Sequence, residues 1–154
     1  DRDPWIGAFS RLVGGPIGRV LMERCNAFAR WIVPLAFADR RRLSEAAFHS
    51  YADPLDTPAQ RHPSWVFPHA LLADTPWLRA LWARRHRIAS LPALICWGTC
   101  DLAFGAERYL RRWTSLFDDV TVYRRPVGHY VPEEMGAELG PVVQNWLDAD
   151  GSGR

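Results

Sequence analysis

Apolar residues recur at helical spacing through the first half of the chain. From Ile17 to Val33 they are three or four positions apart and the charged residues lie mostly on the opposite face, which predicts a helix ending at Pro34. Cap signals predict three further helices, which begin at Ser44, Thr57 and Thr75; proline follows directly after the last two of these residues. Residues 5–88 therefore predict a run of short helices punctuated by proline.

The pattern changes to strand, helix, strand, helix after Leu91. Five apolar residues lead into Gly98 and predict a buried parallel strand, and residues 120–123 predict the next one. Helical patterns cover residues 106–117 between these strands and residues 133–148 after them. This order is typical of an α/β fold. Because two strands make no stable open sheet, we expect them to be the last parallel strands of a larger sheet.

These patterns divide the chain into three regions. We expect an all-helical cap over residues 1–88, an α/β part over 89–150 and a flexible tail over 151–154. The chain is 48% hydrophobic and contains eight tryptophans, which is enough apolar material for a core. Nothing in the sequence sets the oligomeric state.

Charge and cysteine content exclude several classes of function. The net charge is only +2, with 19 basic and 17 acidic residues, so we expect neither nucleic acid nor membrane as a partner. The apolar runs are too short to span a bilayer. Three cysteines indicate reduced thiols and a cytoplasmic protein. Cys96 and Cys100 with His129 offer no fourth ligand, so we expect no metal site.

Asp101 and His129 are the candidate catalytic residues. Asp101 follows the strand that ends at Gly98, and ligands of open α/β sheets bind beyond the carboxyl ends of the strands. The chain from Asp101 to His129 has room for one parallel crossover, which returns a second loop to the same sheet edge. The two side chains can therefore meet. The alternatives are that Asp101 caps the following helix and that His129 is a loop histidine bonded to backbone.

The residues around this pair resemble a known fold family. Residues 97–101 and 128–134 are similar to the acid and histidine segments of the α/β-hydrolase fold, and residues 26–34 and 64–68 resemble the cap of haloalkane dehalogenases and their close relatives. The resemblance covers nearly the whole chain and implies the carboxyl-terminal portion of that fold preceded by the helical cap. It implies hydrolysis of a small apolar substrate without a cofactor. In the reaction that the resemblance implies, an aspartate or serine attacks, His129 activates water or that nucleophile, and Asp101 orients the imidazole and stabilises its charge.

The sequence departs from this family in one respect. It contains no Gly-x-Ser-x-Gly or Gly-x-Asp-x-Gly elbow, and the family's usual order of nucleophile, acid and histidine places the nucleophile before Asp1. The chain also begins without an initiator methionine. We therefore expect a fragment, or the product of a truncated gene, that is inactive by itself.

Aromatic residues are the candidate walls of a substrate pocket. The resemblance favours five of them, with the Trp31 indole N–H as a donor to a leaving anion: Phe28, Trp31, Trp65, Phe67 and Tyr130. The alternative is that such residues belong to the core. Glu133 and Glu134 begin a helix, where acids favour the helix dipole and need no catalytic explanation.

Three other functions stay open at this point. Epoxide hydrolases resemble this body but have two cap tyrosines, whereas residues 1–88 hold only Tyr51. The β-lactone decarboxylases of olefin formation have a similar body as well. A non-catalytic remnant or interaction module could use an exposed sheet edge.

Overall fold

The computed structural model describes residues 4–151. It divides into two compact units, one formed by residues up to 35 and from 44 to 83, the other by residues 36–43 and from 84 onward. Residues 84–88, predicted as part of the cap, belong to the second unit together with the short segment 36–43. Of the predicted tail, Gly151 is the last residue of a helix, and the rest lies outside the described residues.

The secondary-structure elements in the described part of the first unit are all helices. Its helices are α1 (Pro4–Gly14), α2 (Pro16–Cys25), the π-helix Phe28–Ile32, α3 (Val33–Ala36, which runs one residue into the second unit), α4 (Glu45–Ala52), the 3-10 turn Asp53–Leu55, α5 (Pro58–Ala73) and α6 (Thr75–Ala83). Helix α5 packs against α1 and α2. Met22, Ala29 and Val33 are buried in this unit.

The helix predicted over 17–33 is broken at Asn26. This residue has a left-handed φ of 51°, and its N–H closes α2 on the Leu21 carbonyl. Its buried side chain donates to the Leu55 carbonyl over 3.2 Å. Asparagine tolerates this conformation better than other residues with side chains, so it can end a helix that apolar periodicity alone would continue.

Two of the three predicted caps are confirmed. The Ser44 hydroxyl accepts from the Ala47 N–H over 3.1 Å. Thr57 accepts from the Gln60 N–H over 3.3 Å and the Gln60 side chain accepts from the Thr57 N–H over 2.8 Å, a complete capping box. The third prediction is wrong, because Thr75 is the first residue of α6 and not the residue before it; its hydroxyl donates to the Leu72 carbonyl over 2.9 Å.

Helix α5 also contradicts the expectation of short helices ended by proline. It runs for 16 residues through Pro63 and Pro68. Each internal proline removes one backbone hydrogen bond. The contacts of α5 with α1 and α2 hold the helix together across them, which is tertiary packing overriding local propensity.

The second unit has the predicted strand, helix, strand, helix order. Its elements are the 3-10 turns Arg40–Arg42 and Arg85–Ile88, β1 (Ala93–Gly98), α7 (Glu107–Thr114), β2 (Val120–Arg125), α8 (Val131–Met135), the 3-10 turn Gly136–Glu138 and α9 (Leu139–Gly151). The strands are parallel, in a register from Ala93 opposite Val120 to Gly98 opposite Arg125. This topology brings the carboxyl ends of β1 and β2 to one edge.

The second unit is less buried than the sequence predicts. Residues 93–97 are half-buried, because β1 pairs with one strand only among the described residues. Leu110 is fully buried, but two large apolar residues, Trp113 of α7 and Leu147 of α9, are 42% and 50% exposed. A two-stranded sheet offers too little apolar surface to cover both helices. The last helix is also divided near Gly136, which has a φ of 52°.

No helix among the described residues has the length and apolar character that crossing a bilayer requires.

Candidate active site

The loops that follow β1 and β2 are joined beyond the ends of the strands. The Thr99 N–H donates to the Arg125 carbonyl over 2.9 Å, and the Cys100 N–H donates to the Val127 carbonyl over 3.0 Å. These bonds continue the parallel pairing past Gly98. As a result, Asp101 after β1 and His129 after β2 lie side by side at the same sheet edge.

Asp101 and His129 are hydrogen-bonded, as the crossover predicts. The distance from Asp101 Oδ2 to His129 Nδ1 is 2.9 Å. The other carboxylate oxygen, Oδ1, accepts from the Ala103 N–H over 2.7 Å and from the Phe104 N–H over 3.1 Å. The Asp101 carboxylate thus stabilises the turn after β1 and also binds the imidazole. The hydrogen bonds from the turn fix the orientation of the carboxylate.

The environment shifts both pKa values in the direction that favours an ion pair. Burial alone raises the pKa of Asp101, but hydrogen bonds from His129 and from the Phe104 and Ala103 N–H groups outweigh it, so the pKa lies below its usual 3.8. The hydrogen bond to Asp101 raises the pKa of His129 above 6.5, against the smaller effect of burial. The Asp101 side chain is 12% exposed and that of His129 is 46% exposed.

This geometry decides which nitrogen of His129 can act as a base. An ionised Asp101 only accepts hydrogen bonds, so His129 Nδ1 carries the hydrogen between them. In the neutral ring, Nε2 then has the free lone pair. The pair can therefore take a proton at Nε2 and stabilise the resulting imidazolium against the carboxylate.

Aromatic rings and one backbone bond hold His129 in place. The backbone N–H of His129 donates to the Ala36 carbonyl over 2.8 Å. The centroids of the Phe104 and Tyr130 rings each lie 5.8 Å from that of the imidazole. Tyr130 stacks on Phe37 at 5.1 Å, and burial with the nearby Glu133 charge raises the pKa of its hydroxyl. Tyr130, a predicted binding residue, therefore lies beside the acid–histidine pair within the second unit.

Sequence reasoning missed the role of Glu134. Its side chain is almost fully buried, and its carboxylate accepts from the backbone N–H groups of Gly128, Ala38 and Asp39. The sequence prediction assigned this acid to the helix dipole. A local pattern cannot distinguish an exposed acid at a helix start from one that reaches a distant loop, so no signal in the sequence alone identified it.

The other four predicted aromatic residues belong to the first unit. Trp31 and Phe67 are 52% and 62% exposed, and Phe28 and Trp65 are half-buried. The Trp65 indole N–H donates to the Gly14 carbonyl over 2.7 Å, so its hydrogen-bonding group is used within that unit. Contact of these residues with a substrate stays a prediction. Within residues 4–151, no group of three His, Cys, Asp or Glu side chains is arranged to hold a metal ion.

Comparison with known proteins gives a consistent result for sequence and fold. The chain is 26% identical over 139 residues to haloalkane dehalogenase 2 of Mycobacterium tuberculosis, across 88% of this chain and 48% of the relative, and matches the Mycobacterium bovis protein to the same extent. The chain is haloalkane dehalogenase-like. It spans about half the length of the curated relatives it matches. No protein-family profile matches it.

Solved structures give the same fold for this dehalogenase-like chain. DbjA is 25% identical to this chain in sequence, and its crystal structure matches with a TM-score of 0.79. The match covers 96% of this chain and 51% of DbjA. Haloalkane dehalogenase DbeA from Bradyrhizobium elkani is 22% identical with a TM-score of 0.80, covering 99% of this chain and 54% of DbeA. The predicted fold, the carboxyl-terminal portion of an α/β-hydrolase, is confirmed.

Proposed function

We propose that Asp101 and His129 are the acid and the base of a hydrolytic triad of the haloalkane dehalogenase type. The hydrogen bond of 2.9 Å between them is the observation that carries this proposal. The nucleophile comes from outside these 154 residues, because the sequence contains no Gly-x-Asp-x-Gly or Gly-x-Ser-x-Gly elbow. In this proposal the nucleophile is an aspartate, one of the two residue types that the resemblance allows.

The proposed reaction has two steps. The aspartate carboxylate attacks a carbon that bears a halogen, forming a C–O ester bond as the carbon–halogen bond breaks and halide leaves with the electron pair. His129 Nε2 then takes a proton from water, and the resulting hydroxide attacks the ester carbonyl. The bond between the ester carbonyl carbon and the alkoxy oxygen breaks, and the leaving alkoxide takes the proton of the new carboxyl group, which gives the alcohol and the regenerated carboxylate. His129 then returns its proton to water. Asp101 stabilises His129 while its ring is charged.

The proposed substrate is a small apolar molecule. The proposed substrate-binding residues are Tyr130, which neighbours His129, and four aromatic residues of the first unit: Phe28, Trp31, Trp65 and Phe67. The Trp31 and Phe67 rings are exposed and so available to a ligand, and ligand pockets are lined largely by aromatic and apolar side chains. The Trp31 indole N–H is the proposed donor to the departing halide.

The test is to trap the ester in the longest gene product that contains these residues. His129→Phe removes the base for the second step but leaves the first, so the protein should gain the mass of the alkyl group after exposure to a haloalkane. His86→Phe, which changes an exposed histidine of the same unit, is the matched control and should turn over without accumulating an adduct. An unmodified His129→Phe protein that has lost activity contradicts this mechanism.

Two further measurements separate this proposal from its alternatives. Halide release from haloalkanes without hydrolysis of epoxides distinguishes a dehalogenase from an epoxide hydrolase of the same fold. The 154 residues by themselves are expected to release no halide, because they hold no elbow for a nucleophile. Turnover by this chain alone that disappears in His129→Phe contradicts an external nucleophile.

A further inference from the structure

Glu134 is a buried acid whose hydrogen bonds join two distant loops. Its side chain is 2% exposed. Oε1 accepts from the Gly128 N–H over 2.6 Å, and both carboxylate oxygens lie 3.1 Å from the Ala38 nitrogen. Oε2 also accepts from the Asp39 N–H over 3.1 Å. A carboxylate surrounded in this way replaces its lost hydration with N–H donors, which is the usual condition for burying such a group.

The two loops held by Glu134 are the same two that meet at His129. Gly128 directly precedes His129, and Ala36, just before the second group of donors, accepts the His129 N–H over 2.8 Å. Arg42 adds a bond from its guanidinium to the backbone carbonyl of Glu134. The backbone of His129 is therefore fixed on one side by the Ala36 carbonyl and on the other by the Gly128 contact with Glu134.

The space around Gly128 leaves little freedom for this arrangement to shift. A Cβ atom at Gly128 would lie 2.2 Å from the Ala36 oxygen and 2.7 Å from both the Ala38 nitrogen and Glu134 Oε1. The loop before His129 is thus in close contact with residues 36–38. A displacement of the Glu134 carboxylate should therefore move one of the two loops. One loop contains Gly128, which precedes His129, and the other contains Ala36, which is hydrogen-bonded to His129.

We propose that Glu134 is a positioning residue for His129, and that its carboxylate holds the Gly128 loop against residues 36–39 so that the imidazole reaches Asp101. A role for Glu134 in catalysis rests on the proposed function. The hydrogen bonds of Glu134 themselves do not depend on a substrate. It assigns to Glu134 a task that the neighbouring Glu133 does not have, since the Glu133 side chain is exposed.

Glu134→Gln tests the proposal with little change in shape. The amide keeps one acceptor oxygen but presents an NH₂ group where the carboxylate accepted, so at least one of the Gly128, Ala38 and Asp39 N–H groups loses its partner. The readout is the pKa of His129, followed by NMR of the imidazole carbons in the full chain and assigned by the signal missing from His129→Phe. This pKa reports the Asp101 contact and needs neither substrate nor turnover, so the result is independent of whether the proposed reaction is correct.

The expected result is a fall in the His129 pKa that is at least half as large as the fall caused by Asp101→Asn. Glu133→Gln removes a carboxylate from the same helix turn and should leave the pKa of His129 almost unchanged. Leu110→Ala opens a cavity in the same unit and lowers its stability, but it should not change the pKa of His129 while the chain is folded. A general loss of stability is thereby distinguished from a displaced imidazole.

Glu134→Asp covers the case in which the amide variant does not fold. It keeps the charge but shortens the side chain by one methylene group, so it should lower the pKa of His129 in the same direction by a smaller amount. An unchanged His129 pKa in the folded Glu134→Gln protein, or in Glu134→Asp where the amide does not fold, overturns the proposal. A fall of equal size in Leu110→Ala overturns it as well.

Discussion

The end of β1 lies against the loop that carries the histidine, at a contact between Gly98 and Gly128. A Cβ atom on Gly98 would lie 2.3 Å from the Gly128 carbonyl oxygen and 2.7 Å from the Val127 carbonyl oxygen. Both neighbours are backbone atoms, which cannot rotate away as a side chain can. The absence of a side chain at Gly98 therefore sets how closely the acid and histidine loops approach.

Gly98→Ala is expected to separate these loops and to destabilise the second unit by about 1–3 kcal/mol, the usual cost of forcing extra volume into a packed site. Gly140→Ala is the matched control: no atom lies within 4 Å of its added Cβ, and Gly140 is inside α9. This control should change the stability by less than about 1 kcal/mol, because the entropy gained through the unfolded chain is offset by the strain of a Cβ before Pro141 in a helix. Urea unfolding measures both changes. Equal stability of Gly98→Ala and the wild type contradicts the close contact.

Asp101→Asn is expected to retain the fold and lose activity. The amide can donate to His129 Nδ1 and so favours the wrong tautomer, leaving Nε2 without its lone pair. In the gene product that performs the proposed reaction, turnover should fall by up to about four orders of magnitude, as it does for the same change in a serine protease triad. Steady-state kinetics measures this. Glu133→Gln, its control, should lose little activity. Near-normal turnover of Asp101→Asn would mean that another carboxylate orients the histidine.

The stability of the pair should depend on pH with a defined window. The pKa of Asp101 is lowered from 3.8 in the folded protein. Its contribution to stability is therefore present above pH 3.8 and is lost as the pH falls through the pKa of the folded state. The pKa of His129 is raised from 6.5, so its contribution is present below 6.5 and is lost as the pH rises through the folded value. The difference in unfolding free energy between the wild type and Asp101→Asn should therefore be largest between pH 3.8 and pH 6.5. Denaturant titrations across pH measure it, and a difference that does not change with pH contradicts the ion pair.

The same pKa shift predicts the pH dependence of hydrolysis. Only neutral His129 can take a proton, so the rate of the second step should rise with pH to a midpoint above 6.5. Burst and steady-state rates measured across pH give this midpoint. In Asp101→Asn it should move down toward 6.5, even though the maximal rate is lower. A midpoint at the same pH in both proteins would show that another group controls the step.

Much of this chain could be predicted from the sequence because the signals are local. The caps at Ser44 and Thr57 join groups three positions apart, and the alternation of strand and helix after Leu91 is a matter of periodicity. The meeting of Asp101 and His129 also follows from the order of elements, because a parallel crossover returns the chain to the same end of the sheet. These features need no knowledge of what packs against them.

The tertiary structure decided the rest. The helix break at Asn26 goes with a hydrogen bond to Leu55, and α5 continues past Pro63 and Pro68 because it packs on α1 and α2. Glu134 meets the Asp39 N–H across 95 positions of sequence. The stabilisation in each case comes from burial and from hydrogen bonds between segments far apart in the chain. Residue type and spacing cannot express such contacts, because they exist only once the chain has folded.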